Sequence, residues 1–63
     1  SLSHREFQVM TALASGHSSK SIAEELKISS KTVSTYRARI MKKMGFESNA
    51  DIVRFAIEKG LVQ

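Results

Sequence analysis

Punctuation constrains this chain more than any other feature. Proline is absent, and each of the three glycines, Gly16, Gly45 and Gly60, ends a stretch whose apolar residues recur at helical spacing. A glycine in that place closes a helix by taking up the left-handed conformation that other residues adopt only at a cost. Serines open the same stretches. Ser3 followed by Glu6 is a capping box, in which the serine oxygen accepts from a backbone N–H while the carboxylate reaches back to the N–H of the cap. Ser18 and Ser29 stand where single caps are needed, and Ser48 with Asp51 repeats the box pattern. The spacing predicts an all-α, four-helix bundle-like domain. Its helices run from Ser3 to Gly16, from Ser18 to about Lys27, from Ser29 to about Met44, and from Ser48 to Lys59 and Gly60, with Leu61 as the apolar contact after the last cap.

The apolar faces agree with this division. At 100° per residue Val9, Leu13, Met10, Ala14 and Phe7 fill an arc of roughly 160° on the first helix, which makes it a buttress. Glu6 falls in the middle of that arc, where an unpartnered carboxylate would be costly, so a cap or a lysine such as Lys43 has to satisfy it. Ile22, Ala23 and Leu26 form the stripe of the short second helix, and Ile28 plugs the turn after it. Val33, Ile40 and Met44 lie within about 40° of one another on the third. The fourth differs. Phe55, Ile52, Ala56, Val53, Ile57 and Ala50 cover roughly 220°, more than one small core requires, so part of that face is expected to meet a partner.

Size and composition exclude several classes. At 63 residues the chain makes one domain, and only about 60% of the unfolded surface can be buried. Cysteine is absent, and His4 and His17 lack the spacing of a metal pair, so both read as solvated side chains. No nucleophile–base pairing, metal-ligand cluster or phosphate-cradling glycine loop is present, so no catalytic residue, no metal and no cofactor are expected and the chain is not read as an enzyme. No apolar run is long enough for a membrane helix, and the start lacks a signal pattern, which predicts a soluble, cytoplasmic chain. Lys and Arg number 10 against 6 acidic residues, giving a net charge of +4, the balance of a chain that approaches phosphates.

A short helix, a tight turn and a longer helix is the spacing of a helix-turn-helix, whose second helix enters the major groove of DNA. Opposite Val33, Ile40 and Met44 the third helix carries Lys31, Ser34, Thr35, Ala38, Arg39 and Lys42. Small side chains permit close approach, basic ones neutralise phosphates or donate to guanine, and the Thr35 methyl suits a less directional base contact. A merely solvated face would look similar on a helix alone; the capped short helix before it favours the groove-reading role. Arg37 lies within the core arc and snorkels to its edge, where a phosphate contact and plain solvation both remain open. Tyr36 lies on the flank, where core packing with the hydroxyl reaching a phosphate is favoured over base stacking, and the two readings are compatible. A protein-interaction module using the wide face of helix four is the rival reading. Salt separates the two, because phosphate contacts release counterions and an apolar interface does not.

One ordered set of residues spans nearly the whole chain: Leu2-Ser3 with Arg5-Glu6, Val9-Met10, Ala14, Gly16, Ser18, Lys20, Ile22-Ala23, Leu26, Ile28-Ser29, Thr32-Val33, Ile40, Lys43-Met44-Gly45, Ala50 and Gly60-Leu61. At these spacings the chain resembles the LuxR-type helix-turn-helix family. The stretch Thr32-Val33-Ser34-Thr35-Tyr36-Arg37 is most similar to its NarL/FixJ response regulators of two-component systems. The resemblance implies a DNA-binding effector domain over residues 1–63, with helices two and three forming the helix-turn-helix. Helix three, about 30–44, would read the major groove, and helix four would pair two subunits on DNA. By motif position Lys20 and Thr32 correspond to backbone-phosphate contacts, and Ser34, Thr35 and Ala38 to base-reading positions. Relatives often carry lysine where this chain has Ser34 and Ala38, and histidine where it has Tyr36, which makes Lys31, Arg37, Arg39 and Lys42 the electrostatic replacements. The pairing mode, with the excess apolar width, selects Asn49, Ile52, Phe55 and Ala56 as dimer contacts. The implied partners are double-stranded DNA, a second copy bound to it, and RNA polymerase. No membrane and no small-molecule ligand of this domain are implied; relatives usually carry an N-terminal receiver domain, less often an acyl-homoserine-lactone-binding domain, and a stand-alone regulator is the other alternative.

Overall fold

The computed structural model describes residues 1–62, so Gln63, the last residue of the expected domain span, lies outside the described residues. Four helices follow one another: α1 (His4–Ala14), α2 (Ser19–Leu26), α3 (Ser30–Met44) and α4 (Asn49–Glu58). Three start as their serines dictate. The hydroxyls of Ser3, Ser18 and Ser29 accept from the N–H groups of Glu6, Ser21 and Thr32 at 3.1, 3.0 and 3.0 Å. Each cap supplies a partner for one N–H that the helix cannot pair internally, an effect of about 1 kcal/mol.

α4 departs from expectation. Ser48 makes no side-chain cap bond, and Asp51 does not close a box with it. The Asp51 carboxylate accepts instead from the N–H of Glu47 at 2.8 Å, one residue earlier, and pairs with Arg54 at 3.3 Å. The backbone gives the reason. The three working caps have φ between −71° and −80°, whereas Ser48 is fully extended at −156°, which carries its hydroxyl away from the first turn.

All four helices close alike, the N–H of the residue after the left-handed one reaching five residues back: His17 to Ala12, Ile28 to Ala23, Phe46 to Met41 and Leu61 to Ala56. At α3 the left-handed residue is Gly45, as expected. At α2 it is Lys27, with φ 59° and ψ 44°, where the sequence predicts an ordinary last residue of the helix. Among the described residues Lys27 is the one non-glycine with positive φ.

The core is where the four amphipathic faces meet, with α1 packed on α3 and α4, and α2 on α3. Val9, Met10, Ile22, Val33, Ile40 and Ile52 are its fully buried large side chains. Burying each contributes about 1.5–3 kcal/mol. Phe7, assigned from the sequence to the core arc of α1, is 40% exposed, because it stands at the edge of an arc narrower than periodicity implied. Glu6 is 2% exposed, and both partners named for it are engaged. Its Oε1 accepts from the Ser3 N–H and from the Lys43 Nζ, each at 2.8 Å, so the box is closed and α1 is tied to α3. The Lys43 hydrogen bond, followed by the Ser3 N–H, holds the Glu6 pKa down at about 2.

Candidate nucleic-acid interface

The turn between α2 and α3 is three residues long, Lys27, Ile28 and Ser29. Left-handed Lys27 reverses the chain, Ile28 packs against the core, and Ser29 starts the next helix. Val33 and Ile40, with no exposed surface, anchor the inner side of α3. The opposite side is thereby turned outward. Lys31, Ser34, Thr35, Ala38, Arg39 and Lys42 are all exposed on it. At 1.5 Å of rise per residue they form a strip about 16 Å long, and a helix of this breadth fits a B-DNA major groove about 12 Å wide.

Several of these side chains are already oriented. The Thr35 hydroxyl donates to the Lys31 carbonyl at 3.1 Å, which leaves its methyl and its oxygen lone pairs for a ligand. Those suit a thymine methyl or a base amino group. Thr32 is half-buried, its hydroxyl 2.9 Å from that of Ser29, so it belongs first to the helix cap. Tyr36 is half-buried against the core, and the Arg39 guanidinium lies 5.9 Å over its ring. That contact steadies a long cation beside the strip. Lys20 is exposed in the first turn of α2.

Arg37 is placed differently from the rest. It is half-buried on the shoulder of α3, and its Nε and Nη2 both donate to Oδ1 of Asn49, at 3.2 and 2.6 Å. Asn49, expected to face a second copy, is thus engaged within the chain. The other residues expected at a dimer contact are placed unequally. Ile52 and Ala56 are 1% and 0% exposed, part of the intramolecular core, and cannot reach a partner without opening it. Phe55 is half-buried with its ring 5.6 Å from that of Phe46. The apolar surface that α4 leaves outward is Ala50, half-buried Val53 and Ile57, which is 55% exposed.

Charge sharpens the assignment. From Lys27 to Phe46 the chain carries Lys27, Lys31, Arg37, Arg39, Lys42 and Lys43 and not one carboxylate. Lys43 is spent on Glu6; the others stand on the turn and α3. The acid-free run was visible in the sequence between Glu25 and Glu47, and it adds Lys27 to the basic surface. The Arg37–Asn49 contact left no signal there, since nothing in a twelve-residue separation distinguishes it. Two surface grooves among the described residues, about 380 and 300 Å³, lie away from the strip, one beside His17 and Leu61 and the other beside Phe46 and Phe55. Among the described residues no group of His, Cys, Asp and Glu could hold a metal ion, and no helix is long and apolar enough to cross a membrane.

A short capped helix, a three-residue turn and a longer helix with an outward basic strip is a helix-turn-helix, and residues 1–56 match the bacterial regulatory proteins of the luxR family. The chain belongs to that family. The luxR family is one of DNA-binding transcription regulators. Its members similar to this chain include a Pseudomonas aeruginosa protein provisionally named a transcriptional regulator, 47% identical over 62 residues. Another is the oxygen regulatory protein NreC of Staphylococcus aureus, 39% identical over 62 residues. Each comparison covers 98% of this chain but only 30% and 29% of the respective relative, so the chain spans about three-tenths of those proteins' length.

Proposed function

We propose that the chain is the sequence-specific DNA-binding effector domain of a two-component response regulator, with α3 seated in the major groove. The observation that carries this reading is the outward strip of α3, small at Ser34, Thr35 and Ala38, basic at Lys31, Arg39 and Lys42, and free of acidic residues throughout. Small residues at the centre let the helix backbone approach base edges, while the cations at its margins meet phosphates. Lys20 and the turn lysine Lys27 extend the phosphate contacts along the flanking backbone. The name of NreC supports a regulatory setting. A receiver domain, cytoplasmic location and contact with RNA polymerase belong to the same reading. Two copies would pair on DNA through Ala50, Val53 and Ile57, the face of α4 that the core leaves open.

Selection of bound sequences from random duplexes, across a range of salt, tests this. One enriched motif is expected, its preference altered by Thr35→Ala and its affinity merely lowered by Lys20→Ala. No enriched motif at moderate salt, with self-association persisting through α4, would favour a protein-interaction module.

A further inference from the structure

Arg37 differs from the other cations of α3 in being held, and its holder is neutral. A carboxylate acceptor would orient the guanidinium and cancel its charge; the amide oxygen of Asn49 orients it and leaves the charge whole. The nearby acid is occupied elsewhere, Asp51 accepting from the Glu47 N–H and from Arg54. A guanidinium has five N–H donors. Asn49 takes one from Nε and one from Nη2, which leaves both on Nη1 and one on Nη2, along the edge turned away from the amide. That remaining edge is the fork that fits two oxygens of a phosphate. Its place is the shoulder of α3, between the buried face of Val33 and Ile40 and the outward strip of Ser34 and Ala38. When a helix lies in a groove, its shoulders face the sugar–phosphate walls and its strip faces the bases.

We propose that Asn49 is a positioning residue for DNA binding, holding a fully charged Arg37 so that the free edge of its guanidinium takes a backbone phosphate of double-stranded DNA. This rests on the reading of α3 as the groove-facing helix. Pre-ordering the side chain removes the rotamer entropy that a free arginine would lose on binding. It also links the reading helix to the start of α4 through a side-chain hydrogen bond.

The test is the affinity of the chain for a mixed-sequence DNA duplex as a function of salt, with thermal unfolding of every variant alongside. Asn49→Ala keeps the charge and frees the side chain, so affinity falls about threefold to tenfold while the slope against salt is unchanged. Arg37→Lys, which keeps the charge but cannot fork, behaves likewise. Arg37→Ala lowers the slope by about 0.9 per bound chain, and in that background Asn49→Ala costs nothing further. Asn49→Asp neutralises Arg37 and lowers the slope without touching the arginine. Unchanged affinity and slope in Arg37→Ala would overturn the proposal and leave the contact a fastener between α3 and α4. An Asn49→Ala variant that only unfolds at lower temperature would do the same. A parent chain that binds no duplex, or binds without salt dependence, overturns the groove reading itself before any variant is compared.

Discussion

Glu6 shows how far a single residue can be argued from its neighbours. A carboxylate in the middle of an apolar arc has to find partners. The two available kinds, a cap N–H and a lysine, are the two it has. Its depressed pKa means that the folded chain prefers the ionised carboxylate more strongly than the unfolded chain does. Its contribution is therefore complete above the unfolded value of about 4.5 and is lost as the pH falls from there toward about 2. Melting temperature should decline across that window in the parent chain and decline less in Glu6→Gln, which retains a box but has no charge for Lys43 to pair. Parallel declines in the two would show that Glu6 does not carry the acid sensitivity. Arg37 marks the opposite limit. Its position on the core edge was legible, but its acceptor, twelve residues on in another helix, depends on how α4 is set against α3.

Among the elements, α3 was read from its caps to within a residue at either end, and α1 and α2 to within two, because serine caps and left-handed closures act locally. The start of α4 lies at Ser48 as the sequence predicts, but its capping box does not form, for a local reason: Ser48 is extended, and no neighbouring residue announces that φ. The broad apolar arc of α4 has a tertiary explanation. α1 packs on α4, whose Ile52 and Ala56 are buried, and Phe46 meets Phe55, so about half of the width that suggested a partner is used inside the chain. Ala50, Val53 and Ile57 are what remains. The α2–α3 turn carries a cost of its own. A lysine in the left-handed region is strained by about 1–2 kcal/mol, and glycine there would lose part of that gain to a more flexible unfolded state. Lys27→Gly should therefore stabilise the fold by about 0.5–1 kcal/mol, raising the melting temperature by roughly 2–8 °C. A fall in melting temperature would mean that the Lys27 side chain contributes more to the fold than its backbone strain costs.

At the scale of the whole molecule, a core of small helices does one thing for function: it holds α3 by Val33 and Ile40 so that its opposite side faces outward. The fold class, the helix-turn-helix and the basic strip were legible because they rest on periodicity, capping and residue type. The apolar surface that α4 leaves open was not, since it is what remains after α1, α4 and Phe46 have packed. The most direct test of the outward strip is the set of backbone amide NMR shifts of this chain as a DNA duplex carrying its selected motif is added. With α3 in the groove, the perturbations concentrate on Lys20, on Lys27 and on Lys31 to Lys42, with Asn49 moving alongside Arg37. Shifts confined to Ala50, Val53 and Ile57, with α3 unmoved, would contradict it.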